Sequence, residues 1–302
     1  IFSRNGESGE VFEFTAPNSL QPSATGFSQS QISALLAGQT GSDSLKLDYL
    51  QAVVNYLRGE RTYEQSDLQF SMRKRATALG DVINSIPYYV DLATGHKVNK
   101  PVLVFGANDG MVHVVDAKTG KELMAYLPSQ VYQHLNSLTR STYTHKYFVD
   151  GAITGYTDES DKTTVVGTLG TGVKGLYALD VTNMNWPTKN NIKWEIDSST
   201  KGFEGLGYSR EQPTIAKLAN GTTGVIFSNG YNAADDEATL YKSVAAWLSE
   251  AVTPKAYSSD DPAEKPMLRN AESPTLPDVA DSPVEKIIAE VGLITDEMWE
   301  ES

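Results

Sequence analysis

The chain has 302 residues and no cysteine, and its 38 acidic side chains against 25 Lys and Arg leave a formal net charge of −13. That balance argues against nucleic acid or an anionic membrane as the main partner, and the lack of thiols removes disulfides and thiolate metal sites. No apolar run reaches the roughly 18 residues that a membrane-crossing helix needs.

Residues 1–27 are polar with scattered aromatics, Phe2, Phe12, Phe14 and Phe27, which predicts one or two edge strands before a loop containing Pro and Ser. The spacing of Ile32, Leu35 and Leu36 predicts a short helix over about 28–38, ended by Gly38. A longer helix is predicted over about 43–58, with Leu47, Leu50, Val54 and Leu57 on one face and Gly59 closing it. Arg73, Lys74 and Arg75 form a small basic cluster, read as a solvated face or as salt bridges with acidic surroundings. Residues 86–90 then lead into a β region.

The organising stretch runs from Val102 to Gly120. Val102, Val104, Val112 and Val114 mark alternating positions of two strands, and Asn108-Asp109-Gly110 supplies residues that tolerate positive φ in a tight turn. Asp116-Ala117-Lys118-Thr119-Gly120 is a second turn, in which the Asp accepts local backbone hydrogen bonds. Glu122 to Leu127 is a third strand. This is the unit of a meandering antiparallel sheet such as one propeller blade, and it recurs loosely, which favours a propeller over the alternative of three unrelated hairpins in a mixed β domain. Residues 165–183 repeat it, with Ala178-Leu179-Asp180 matching Val114-Val115-Asp116, and a third copy spans 224–241. Spacings of about sixty residues exceed the usual ~40–50 per blade, so insertions lie between the copies. Pro128 to Leu138 reads as a short helix with Val131, Leu135 and Leu138 inward, and residues 143–151 as an alternating aromatic strand.

Residues 242–248 look helical. Beyond them the chain becomes acidic and Pro-rich: residues 246–302 hold 13 acidic and four basic side chains and six prolines. Residues 253–281 read as a linker. Ser282-Pro283-Val284-Glu285 then opens a terminal helix with a capping box and Pro at its first position. The expected fold is mainly β: a partial β-propeller of about three antiparallel blades over 91–245, preceded by a mixed segment with two helices over 1–90 and followed by a short helical acidic tail over 246–302. The chain begins at Ile1 with neither Met nor a signal sequence, so it is expected to be a fragment, with any export signal outside it.

Several ordered motifs together resemble the PilC/PilY family. They are Leu57-Arg58-Gly59-Glu60, Arg73-Lys74-Arg75, Leu79-Gly80-Asp81-Val82 running on to Pro87, and Phe105-Gly106-Ala107-Asn108-Asp109-Gly110-Met111-Val112-His113. Tyr126-Leu127-Pro128-Ser129, His145-Lys146-Tyr147-Phe148-Val149-Asp150-Gly151 and Gly175 to Thr182 continue the series. The resemblance covers roughly residues 45–241. It implies a modified β-propeller, export to the cell surface by way of the periplasm or outer membrane, and association with minor pilins at the tip of the type IV pilus. It also implies roles in pilus extension and retraction, adhesion to host-cell surfaces and twitching motility. Family members carry a calcium loop of the Asp-x-Asp-x-Asp-x-x-x-Asp type, and no stretch here has that spacing, so calcium stays a family expectation assigned to no residue. Nor does the chain hold the von Willebrand-type domain that many members place upstream, and three blades are fewer than the four or more of a closed ring.

No catalytic, cofactor-binding or metal-binding residue is assigned. His113 and His145 with a nearby Asp have the donor chemistry for a transition metal, but strand histidines more often satisfy sheet-end hydrogen bonds. Asn232, Asp235, Asp236 and Glu237 are oxygen donors of the kind calcium takes, without the alternate spacing or central Gly, and read as a hairpin tip. Gly167-Thr168-Leu169-Gly170-Thr171-Gly172 lacks the Gly-Lys-Ser/Thr ending of a phosphate loop and should lead into a strand. Arg58-Gly59-Glu60 differs from an integrin-type Arg-Gly-Asp in its last residue and reads as a helix end. Two functions follow: a non-catalytic pilus-tip interaction module, or a quinoprotein-like oxidoreductase, since Asp-x-x-Thr-Gly turns like 116–120 also occur in pyrroloquinoline-quinone propellers. The second needs a calcium set, a catalytic Asp and an enclosing ring; the sequence displays no calcium set, and its ring of blades is incomplete.

Overall fold

Alternating Val residues at 102, 104, 112 and 114 bury one face of a hairpin, and the structure builds outward from it. The computed structural model describes residues 1–64, 67–217 and 223–234, and the backbone of Leu240–Val244. The first sheet contains β3 (Tyr88–Val90), β4 (Val102–Gly106), β5 (Val112–Asp116) and β6 (Glu122–Leu127) as an antiparallel meander. The second has β7 (Ile153–Thr157), β8 (Thr163–Thr168), β9 (Leu176–Asp180) and β10 (Ile192–Ile196); the third has β11 (Thr214–Lys217), β12 (Thr223–Ser228) and β13 (Leu240–Val244). In each, consecutive strands are neighbours. The leading strands β3 and β11 both lie against β7, so the three sheets follow one another about their first strands, as propeller blades do. The fold is thus mainly β, with three meander sheets, few helices and no closed barrel among the described residues.

The middle sheet is covered on both sides. Val165, Tyr177 and Leu179 join the main core, whereas Val166, Leu176 and Ala178 pack with Trp194, Phe203, Val225 and Phe227 in a second core towards the third sheet. Side chains alternate faces along a strand, so β8 is buried at all six positions and shows no polar alternation.

The N-terminal segment is part of the first sheet. β1 (Phe2–Arg4) pairs in parallel with β6, Phe2 opposite Tyr126, and β2 (Val11–Glu13) closes the outer edge. Both strands were expected; the parallel seat beside β6 was not. Helix α1 (Gln29–Leu36) starts at Ser28, whose hydroxyl accepts from the Gln31 backbone while Gln31 reaches back to the Ser28 N–H. It ends at Ala37, which is left-handed (φ 45°), and Gly38, the expected end, follows directly and is left-handed too (φ 84°). Helix α2 (Asp43–Leu57) buries Leu50, Val54 and Leu57 as predicted, and also Ala52, Val53 and Tyr56, because it is packed on a broader front against α1 and residues 136–139. After β6 come a 3-10 turn, the short helix α3 (Tyr132–Leu135) and a second turn, with Val131, Leu135 and Leu138 buried as expected.

Two expectations are corrected. Residues 143–151 form no strand: their backbone is drawn into loop contacts, such as the Phe148 N–H to the side chain of Asn108. Lys242–Val244 are not helical, because they complete β13 against Gly224–Ile226 of β12. The linker and terminal helix read at 253–290 lie outside the described residues.

Candidate functional site: a cleft at the tip of the first blade

The loop joining β4 to β5 is organised by side chains more than by unusual backbone. Of Asn108, Asp109 and Gly110, only Gly110 has positive φ (101°), and a Cβ there would sit 2.7 Å from Leu135 Cδ2. Asn108 is buried; its backbone N–H donates to the Asp81 carbonyl at 3.0 Å and its Oδ1 accepts from the Phe148 N–H at 2.9 Å. Asp109 accepts from the Gly80 N–H at 2.8 Å and the Met111 N–H at 3.0 Å. Gly80 is the residue that permits this approach, because any Cβ there would collide with the Asp109 backbone nitrogen.

Behind the loop, His113 on β5 is 6% exposed and lies between two carboxylates. Nδ1 is 2.7 Å from Glu122 Oε2 on β6, Nε2 is 3.2 Å from Asp109 Oδ2, and the ring stacks on Phe105. Burial works against the charged ring, but the hydrogen bonds and charges of Asp109 and Glu122 outweigh it and push the imidazole up to about 9. The same contact with His113 pulls the Glu122 carboxyl down. His113 is an imidazolium that donates from both nitrogens.

The opposite wall comes from residues 73–81. Arg75 is no solvated charge: it is 9% exposed, donates to Glu64 at 2.7 Å and to the carbonyls of Tyr56 and Glu60, and lies 3.6 Å over the Tyr56 ring. Glu64 is held below the ordinary carboxylate range; burial opposes this and the Arg75 hydrogen bonds and charge prevail. Arg73 donates from Nε to the Leu138 carbonyl at 3.0 Å and covers the Tyr143 ring. The basic cluster therefore clamps the end of α2 to the loops around 60 and 140. The salt-bridge reading holds for Arg75, and the solvated-face reading holds for Lys74 alone, which is exposed. At the rim His145 meets Asp81 at 2.8 Å.

These walls enclose a cleft of about 230 Å³. The residues that carry the family resemblance, scattered from 57 to 151 in sequence, converge on it: Arg73, Gly80, Asp81, Asn108, Asp109 and His145. The structure does not join His113 and His145 into one site. Each has its own carboxylate partner, and no cluster of three metal-ligating side chains occurs among the described residues.

The remaining motifs are accounted for locally. Asp116 accepts from the N–H groups of Lys118 and Thr119, so its carboxylate is spent on its own turn. The Gly167–Gly172 stretch ends β8 and leads on to β9, not to a helix. Arg58 caps α2 and donates to the Phe14 carbonyl. Asn232 is exposed; Asp235, Asp236 and Glu237 lie outside the described residues.

Sequence reasoning missed Glu195. On β10, it accepts from the Tyr126 hydroxyl, from Ser129 N at 2.8 Å and Oγ at 2.5 Å, and from Gln130 Nε2 at 3.3 Å, tying the second sheet to the end of β6. Burial pushes its carboxyl up. Strand alternation in Ile192–Ile196 marks Glu195 as facing away from Trp194, but nothing local names partners some 66 residues distant.

A family profile described as the PilY1 beta-propeller domain matches residues 70–255. A type IV pilus biogenesis factor PilY1 homolog of Xylella fastidiosa is 37% identical over 211 residues, 62% of this chain and 17% of that protein. The type IV pilus biogenesis factor PilY1 of Pseudomonas aeruginosa strain PAK is 36% identical over 213 residues, 62% of this chain and 18% of its own length. Among solved structures, the Pseudomonas aeruginosa PilY1 C-terminal domain is 35% identical, with a TM-score of 0.39 over 50% of this chain and 29% of that one. The chain thus spans less than a fifth of these two curated relatives.

Proposed function

This chain belongs to the family of PilY1 β-propeller domains, and on that premise we propose that it serves type IV pilus biogenesis as a non-catalytic interaction module. The observation that carries the reading is the family match over residues 70–255 coinciding with successive meander sheets whose polar groups are spent on one another. His113, Glu195 and Arg75 are each locked by two or more partners inside the fold, and groups so engaged rigidify loops rather than turn over substrate. In this reading the chain acts at the cell surface or pilus tip. Its partners are minor pilins, with adhesion to host surfaces and twitching motility following from pilus assembly.

The test is co-purification of the folded chain with purified minor pilins. A stable complex with at least one supports the module, and no association with any of them refutes it. Reconstitution with quinone and calcium that yields dye-linked alcohol oxidation would overturn the non-catalytic part. The reading assigns no cofactor to the chain, so tight stoichiometric Ca²⁺ binding by calorimetry would overturn that element separately.

A further inference from the structure

A second cleft, of about 430 Å³, opens between α1, α3 and the loops of the middle sheet. Its walls come from segments far apart in sequence: Gly6 between β1 and β2, Ser30 on α1, Gln133 and His134 on α3, Lys174 between β8 and β9, and Ser198 after β10. Its size lies within the roughly 300–1,000 Å³ of sites that hold a small molecule.

Three of the lining groups are spent on nothing inside the fold. Among the described residues, no side-chain hydrogen bond engages Gln133, His134 or Ser198. All three are open to a ligand, Gln133 and Ser198 being exposed and His134 half-buried. Burial and the Lys146 charge hold the His134 imidazole below its ordinary value, so at neutral pH the ring is uncharged, one nitrogen donating and the other accepting. The Gln133 amide and the Ser198 hydroxyl likewise donate and accept. A ligand that pairs with all three carries polar groups that also do both, which is the property of hydroxyls.

Charge gives an ion no advantage here. The charged side chains of the lining are Asp197 and Lys174, opposite in sign, and both are engaged: Asp197 by Ser199 and Gln130, and Lys174 Nζ by the Asn232 carbonyl at 2.8 Å. Ala34, Val173 and Tyr208 add apolar surface. Hydroxyls set around an apolar ring face are the chemistry of a sugar. We propose that this cleft binds one neutral pyranose ring, its hydroxyls pairing with Gln133, His134 and Ser198. The site is separate from the cleft of the first blade and does not depend on the pilus reading above.

The probes are glucose, galactose and N-acetylglucosamine, titrated at neutral pH into the uniformly ¹⁵N-labelled 302-residue chain. Glucuronate is the charged control, and tetrahydropyran is the same ring without hydroxyls. At least one sugar is expected to shift the Gln133 side-chain NH₂ pair and the backbone signals of His134 and Ser198 saturably, with both controls weaker. Gln133→Ala, which removes one paired group, is expected to weaken that response about threefold to tenfold. Ser198→Trp, which fills the mouth from its exposed rim, is expected to weaken it by at least about tenfold. Methyl glycosides of the responding sugar identify its source: undiminished binding assigns a residue within a glycan, and loss on methylation assigns the free sugar. No saturable shift with any of the three sugars, a control response equal to theirs, or undiminished binding by either folded variant overturns the proposal. A chain that takes a sugar yet binds no minor pilin refutes the pilus reading alone, and the converse refutes this site alone.

Discussion

The charge on His113 makes the stability of the first sheet depend on pH in a calculable way. The imidazole moves from an ordinary 6.5 to about 9 on folding, which at about 1.4 kcal/mol per pH unit corresponds to roughly 3 kcal/mol. The raised pKa gives the sign: this stabilisation is complete below pH 6.5 and disappears as pH rises through about 9. Glu122 works the other way, its depressed carboxyl contributing above its ordinary 4.5 and losing its part as pH falls below that. The pair therefore holds the hairpin best between about pH 5 and 6.5. The perturbation is His113→Gln, which keeps one donor and removes the titration. Urea unfolding of both proteins at pH values from 6 to 10 gives two stability curves. Their difference is expected to shrink by roughly 3 kcal/mol, about a hundredfold in the unfolding equilibrium, across that range. Groups that titrate in both proteins cancel in the difference. Parallel curves would refute the buried imidazolium.

Three further outcomes follow from named contacts. Arg75→Ala leaves Glu64 with Arg61 as its one remaining cation and two carbonyls without their donor, and is expected to cost about 1.5–3 kcal/mol in the same denaturation assay. Gly80→Ala forces its methyl into the Asp109 backbone and should lower stability by at least about 1–3 kcal/mol, read as a drop in the thermal midpoint. Ala37→Gly relieves a left-handed residue (φ 45°) at the end of α1 and is expected to stabilise by roughly 0.5–1 kcal/mol, so a destabilised variant would contradict that helix end.

Strands β4 to β6 were legible because alternation and turn chemistry are local signals, as were both N-terminal helices through the spacing of their apolar residues; the Ser28 cap of α1 was not read from the sequence. The positive-φ reading of Asn108 and Asp109 failed for an instructive reason. Asn and Asp tolerate that backbone, yet here they occupy ordinary conformations and hold the loop through what their side chains reach, Phe148 in one case and Gly80 with His113 in the other. The same holds for Arg75, whose partners Tyr56, Glu60 and Glu64 sit close in sequence, but whose burial depends on the fold of the whole region. Residues 143–151 look like a strand since aromatics alternate, but alternation records two different surroundings and not the backbone geometry that creates them. The cleft itself was legible only as separate motifs; that they meet at one place is a property of the three-dimensional chain.

The parallel partnership of β1 with β6 sets a schedule. Ser3 donates to the carbonyl of Leu127, 124 residues later, so at ribosomal rates of about 5–20 residues per second the first strand emerges on the order of ten seconds before its mate exists. Until then Phe2 and Phe12 have no finished sheet to join, and a nascent chain must be kept from pairing them elsewhere. The outermost piece of the first blade is therefore the earliest made and the last seated.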